Sequence, residues 1–193
     1  MRLKAPRIAP VPESEWSPEV REMLEASRMR GRVPNIFSTF ARHPVLMKSW
    51  IGFGRHILMS STFPPREREL AILRIGWLCR AEYEWSQHSV IGKLCGLTDA
   101  EVSRVQIGPD APEWGNGDRA VLRAVDELHG DAMIANATWA ELSARFGTEQ
   151  LMDLVFTVGQ YQLVSMALNT FGVELDEGTQ GFQGKVSGPD PER

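Results

Sequence analysis

Apolar residues recur at helical spacing through most of this chain, and the pattern is clearest between Pro64 and about Val105. In the first half of that stretch Leu70, Ile72, Leu73, Ile75, Trp77 and Leu78 leave little polar face, which predicts a helix from Pro65 to about Cys79 that is buried on nearly all sides. A second helical segment starts at Arg80-Ala81-Glu82 and ends near Cys95-Gly96, glycine being a common residue just past a helix end. Among these apolar residues stand Glu69, Tyr83, Glu84 and His88. Glu84 and His88 are four apart and share one side of the second helix. Buried acids need partners, so the pattern predicts a buried Glu/His site.

The flanking sequence is also punctuated into helices. Ser17-Pro18-Glu19 supplies an N-cap, a first-turn proline and a first-turn acid for a helix to about Met29 that stops at Gly31. Val33 to Phe40 is too apolar for a free loop and reads as a short helix or turn that could wall a pocket. His43-Pro44 opens a helix to about Ser60, in which Gly52 and Gly54 predict close backbone packing and His56 is a structural histidine. Thr98 and Glu101 form a capping box for a helix to about Gln106. Residues 108–117 read as a loop, either a surface excursion or an active-site rim. Helices are then expected over Asp118 to His129, from Asn136 or Thr138 to Phe146, and from Thr148 to Phe171-Gly172. No alternating β-branched run is bounded by hairpin turns.

The expectation is an all-α fold of about eight helices: a single domain over 16–174, an extended proline-rich arm over 1–15, and a flexible glycine- and proline-rich tail over 175–193. Ala71-Ile72-Leu73-Arg74 reappears as Ala120-Val121-Leu122-Arg123, either a trace of two related helical units packed together or a chance match.

Composition narrows the partners. With 193 residues, 21 basic and 25 acidic side chains and a net charge of -4, no Lys/Arg cluster is large enough to track a phosphate backbone, so nucleic acid is not expected. Arg66, Arg68 and Arg74 read as local charge partners. Pro6, Pro10 and Pro12 interrupt the place of a signal peptide's apolar run, and no eighteen-residue apolar span is expected anywhere in the chain. The expectation is a cytoplasmic protein with no membrane partner. Cys79 and Cys95 are sixteen apart, neither a disulfide framework nor a CxxC pair, and read as packed thiols.

The core segment resembles the carboxymuconolactone decarboxylase family, which includes the alkyl hydroperoxidases of the AhpD type. Peroxidases of that family carry a glutamate, a CxxC pair whose first cysteine lies twelve residues later, and a histidine four residues after the second cysteine. Glu69, Ala81, Glu84 and His88 stand at those positions, so the spacing is kept while both thiols are absent. The run RAEYEWSQHSVIGKLCGLTDAEV is similar to the branch with a YEWxxH-type helix and a glycine stop. The resemblance implies an AhpD-like helical bundle and a homo-oligomer (dimer, trimer or trimer-based hexamer). It also implies a small-molecule substrate and no cofactor.

Ala81 and Glu84 can neither attack nor resolve a peroxide, which excludes thiol peroxidase chemistry at this motif. What remains suits proton transfer: His88 as general acid/base, Glu84 as its orienter or a second proton carrier, Glu69 as electrostatic support, and Tyr83 as a hydrogen-bond donor to substrate. The expected function is a cofactor-independent decarboxylase, or a lactone- or carbonyl-transforming lyase or hydrolase, acting on a small organic acid or lactone. Two other readings stay open. One is a non-catalytic oligomeric helical protein with a buried Glu/His network. The other is a Glu/His metal site for iron, manganese or zinc, against which stands the single histidine of the motif. Trp77, Tyr83, Trp85, Phe37 and Phe40 are candidates to line an apolar pocket. Arg74 or Arg80 would meet either a substrate carboxylate or a neighbouring acid.

Overall fold

The computed structural model describes residues 3–28 and 31–182. Its described residues form nine α-helices and no strand: α1 Pro18–Glu25, α2 Asn35–Phe40, α3 Pro44–Arg55, α4 Pro65–Leu78, α5 Glu82–Leu94, α6 Asp99–Val105, α7 Asn116–Asp131, α8 Asn136–Ser143 and α9 Thr148–Phe171. A 3₁₀ turn over Glu13–Glu15 precedes α1, and a π-helical turn over His56–Ser60 extends α3.

Local chemistry sets the helix ends. Ser17 accepts from the Val20 N–H, Thr98 and Glu101 exchange both bonds of a capping box, and Gly172 closes α9 with φ of +71°. α1 ends before Met29, which lies outside the described residues.

α4 is the hub, packed against α5, α6, α7 and α9. Its Leu70, Ala71, Ile72, Leu73 and Ile75 are fully buried, as its unbroken apolar run requires. α9 is long and apolar enough to cross a bilayer, a span the sequence pattern did not single out. About half of that span is buried inside the fold, where α9 packs against α4, α7 and α8.

Several expectations are corrected. Residues 108–117, expected as a surface excursion or an active-site rim, are a loop only to Gly115, where α7 takes over, and that loop is pinned to the core. Ala111 and Trp114 are buried in the main core, and the Trp114 indole donates to the Gly108 carbonyl at 3.1 Å. Gly52 meets nothing within 4 Å, so close packing does not explain it. His56 is held as expected, with Nε2 3.1 Å from Asp153 Oδ1. The first part of the expected flexible tail is docked: Asp176 bonds to Asn35 of α2 and to Tyr83 and Gln87 of α5, and Phe182 packs against Trp77 and Trp85. The echoing helices α4 and α7 pack directly together.

Candidate active site

Two glycines let α4 and α5 close into a tight antiparallel hairpin. A Cβ on Gly76 would lie 3.5 Å from Glu84 Cβ, and one on Gly92 would lie 3.0 Å from Leu97 Cδ1 and 3.6 Å from Glu69 Cβ. Each glycine of one helix therefore faces a glutamate of the other. The turn between them is closed by Ala81 N–H donating to Gly76 O at 2.8 Å, with Arg80 in the left-handed region at φ of +51°. Residues 19 apart in sequence, Glu69 and His88, thereby come into direct contact.

His88 lies between the two carboxylates. Its Nδ1 donates to Glu69 Oε2 at 2.6 Å, and its Nε2 lies 3.3 Å from Glu84 Oε2. Glu69 also accepts from Arg68 Nε at 3.3 Å, whereas no described residue donates a hydrogen bond to Glu84. All three side chains are buried.

The electrostatics follow from this asymmetry. Burial opposes charge on Glu69, but His88 and Arg68 outweigh it and hold the carboxyl below its ordinary value. Burial also disfavours a charged His88, yet Glu69, and after it Glu84, overcome that effect and raise the imidazole. Glu84 lacks such compensation. Burial pushes it up to about 7, with His88 pulling down and Glu69 pushing further up. Near neutral pH the cluster thus holds an anionic Glu69, a His88 biased towards its protonated form and a Glu84 close to its midpoint. The three titrate as one coupled unit.

This redistributes the expected roles. Glu69, not Glu84, fixes the ring and its tautomer. The Tyr83 hydroxyl, expected to donate to substrate, is instead engaged within the fold: it donates to Asp176 Oδ2 at 2.6 Å while accepting from the Ile36 N–H at 3.3 Å. Burial, and then Asp176, keep that phenol proton in place. Asp176 also accepts from Gln87 Nε2 at 2.8 Å and from the Asn35 N–H at 2.7 Å. It latches α2 onto α5.

Beside the cluster lies a cavity of about 700 Å³ that Glu84 and His88 help to line. Its walls are mostly apolar, with Ile36, Phe37, Trp50, Leu58, Met59 and Ile91 among them. Of the aromatics expected there, Phe37 and Tyr83 are present. Trp77 and Trp85 instead stack on each other and on Phe182, and Phe40 stacks on Trp50 and Phe171. Arg74 is spent on Asp126 and on the carbonyls of Val105 and Gln106, and neither it nor Arg80 lines the cavity. Cys79 packs against the core away from the cavity, and neither cysteine is in a disulfide.

Sequence reasoning missed Asp176, Gln160 and Tyr161. Tyr161 stands edge-on to His88, ring centroids 4.8 Å apart and planes at 85°. Its only sequence signal was a pair of polar residues, Gln160-Tyr161, inside an apolar helix. The expected Glu/His metal ligands do not converge: Glu69 and Glu84 address opposite nitrogens of one ring rather than a common point. Among the described residues no group of three or more His, Cys, Asp or Glu side chains is arranged to hold an ion.

The profile of the carboxymuconolactone decarboxylase family matches residues 44–127, from the start of α3 into α7, a span that contains Glu69, Glu84 and His88. No curated protein matches the sequence. Among solved structures the chain is similar to the alkylhydroperoxidase AhpD core of an uncharacterized peroxidase-related protein from Ralstonia eutropha JMP134. The TM-score is 0.78 at 19% identity, covering 88% of this chain and 92% of that one. An uncharacterized peroxidase-related protein from Silicibacter sp. TM1040 gives 0.73 at 15% identity, covering 91% and 92%. The debrominase Bmp8 in its apo form gives 0.68 at 18% identity, covering 88% and 92%. At such identities the likeness shows the fold. Over residues 44–127 the chain is similar to the carboxymuconolactone decarboxylase family, and its fold is AhpD-like, without the CxxC pair.

Proposed function

We propose that the protein is an acid/base enzyme acting on a small, largely apolar carbonyl compound such as a lactone or β-keto acid. The observation that carries this reading is Glu84: a buried carboxyl on a cavity wall, without a hydrogen bond from any described residue, pushed up to about 7. Such a group can take a proton from a carbon next to a carbonyl, or deliver one to it, at neutral pH. In a decarboxylation the electrons of the breaking carbon–carbon bond pass to the α-carbon as carbon dioxide leaves. Protonated Glu84 then supplies the proton that quenches the enolate. The His88 cation, anchored by Glu69, stabilises the negative charge while it lasts and resupplies Glu84.

The fold's relatives support a ring-sized occupant, since the debrominase Bmp8, as a cysteine-to-alanine variant, was solved in complex with 2,3,4-tribromopyrrole. The test is to supply β-keto acids and unsaturated lactones in D₂O, following carbon dioxide release and deuterium entry at the α-carbon. Glu84→Gln should lose most of both signals. If no compound reacts, or Glu84→Gln reacts as fast as wild type, the reading fails.

The same reading includes a homo-oligomer, with a second copy packed along α9. Met152, Phe156, Leu163 and Met166 are exposed, and with Gly159 they repeat at alternating spacings of four and three, the seam of a helix pair. Sedimentation should show a mass above the monomer at micromolar concentration, and Phe156→Glu with Leu163→Glu should return it to the monomer. A wild-type chain that sediments as a monomer would remove this part.

A further inference from the structure

Two polar side chains of α9 have nothing to bind. Gln160 and Tyr161 are each more than nine-tenths buried, both line the cavity, and neither makes a hydrogen bond with any described residue. Neither is sealed from the cavity, unlike the unpartnered hydroxyls of Thr157 and Ser165 on the same helix. A buried donor without a partner is costly, and a bound substrate oxygen would recover that cost.

Their positions are complementary. The Gln160 carboxamide nitrogen lies 3.7 Å from where a Cβ on Gly54 would stand, so the absent side chain of α3 leaves room for the amide on the cavity wall. Tyr161 stands against the His88 ring, next to the groups that move protons. The cavity therefore presents an amide N–H and a phenol O–H from consecutive residues, together with the Glu84 carboxyl and His88.

The charge distribution states what kind of oxygen belongs there. Besides His88, the cavity-lining cations are Lys48 and Arg55, both exposed, and Lys48 is paired with Glu19 at 3.7 Å. Arg68, the cation nearest the cluster, is committed to Glu69. A substrate carboxylate driven inward would meet Glu84 and Glu69 with no free cation to offset them.

We propose that Gln160 and Tyr161 form an oxygen-binding anchor for a neutral carbonyl, so that the substrate lies with its uncharged oxygen inward and any anionic group at the mouth. The anchor deepens the acid/base reading by assigning substrate class and orientation. Two donors on the carbonyl oxygen also stabilise the enolate formed when Glu84 takes the α-proton.

The probes are phenylacetone, phenylacetate and propylbenzene, which share an apolar ring and differ at the polar end. Each is titrated against the full chain by saturation-transfer NMR in D₂O, with wild type, Tyr161→Phe, and the pair Gln160→Met with Tyr161→Phe. Phenylacetone should bind wild type more tightly than phenylacetate does, and lose about tenfold in affinity in the paired variant, the scale of one to two neutral hydrogen bonds. Propylbenzene should bind all three proteins alike. The anchor is overturned if phenylacetone is bound equally well by the paired variant, if propylbenzene weakens in parallel, if phenylacetate binds as tightly as the ketone, or if the ketone does not bind. Deuterium entry into phenylacetone in the same samples separates this from the enzymatic reading. Anchor-dependent binding without Glu84-dependent exchange keeps the anchor and removes the enzyme. Exchange with unaltered binding in the paired variant does the reverse.

Discussion

Two of the ionic clusters on α4, one facing α7 and one facing α5, are built on opposite principles. On the α7 side, Arg74 directs Nε and Nη2 to the two oxygens of Asp126 at 2.6 and 2.9 Å and Nη1 to the carbonyls of Val105 and Gln106. None of the residues of that bidentate cluster lines the cavity beside His88. On the α5 side, Glu69 and His88 are tightly matched, but Glu84 has only a nearby charge, no hydrogen bond, and a cavity in front of it. A saturated buried charge pair holds helices in register; an unsaturated one retains capacity for a substrate. Both arginine and glutamate clusters are spelled by the same apolar helix, so burial of charge alone does not mark a site.

The sharpest way to break this division is Arg74→Met. Removing the guanidinium leaves Asp126 and two carbonyls without their partner and should cost about 3 kcal/mol of stability, read from urea unfolding. Turnover per folded molecule should hold. A specific loss of turnover would mean that the two clusters are not separable.

The reciprocal change is His88→Asn, which should leave melting and oligomer size near wild type while lowering turnover by roughly 10²-fold. If this variant unfolds or dissociates with no separate kinetic effect, the α5 cluster is as structural as the α7 one.

Glu84→Gln sharpens the comparison through pH. The folded value of about 7 lies above the ordinary 4.5, so the folded state holds the Glu84 proton more tightly than the unfolded chain does. Glu84 therefore contributes stability that is complete below 4.5 and is lost as pH rises through about 7. Thermal melting of wild type should show this decline across that interval, and Glu84→Gln should flatten it. His88, also raised, adds a loss of the same sign above its own ordinary value of 6.5. Glu69 has the opposite sign, its contribution falling away in acid.

The smallest effect is expected at the thiols. Neither Cys79 nor Cys95 lines the cavity, so Cys79→Ser should change turnover by less than about twofold, the scale of a substitution outside the site. Wild type should show no thiol-dependent consumption of an organic hydroperoxide. Such consumption, lost in Cys79→Ser, would show that this sulfur reaches the site.

What could be read from the sequence was what repeats or caps. Helix starts at Ser17 and Thr98, the stop at Gly172 and the common face of Glu84 and His88 are local, set within a turn or two of chain. The docking of Glu69 was legible only through the spacing it shares with a known family. Gln160 and Tyr161 escaped because α9 is apolar nearly all round, and which of its residues meet the cavity depends on how it crosses α3. Trp114 was assigned to a loop because proline, glycine and aspartate surround it; its burial depends on the core it meets after folding.

Asp176 was unreadable for a related reason: nothing in the aperiodic stretch Glu174-Leu175-Asp176-Glu177 sets one of its three acids apart from the others. Its partners stand far back in the chain, 93 residues before it at Tyr83 and 141 at Asn35. At ribosomal rates of about 5–20 residues per second, the α5 residues are made roughly 5 to 20 seconds before the latch that fixes α2 over them. The nascent chain thus carries its proton-transfer hairpin with an unlatched pocket for that interval. A message truncated before residue 176 would yield a protein with every motif residue and no fastened wall.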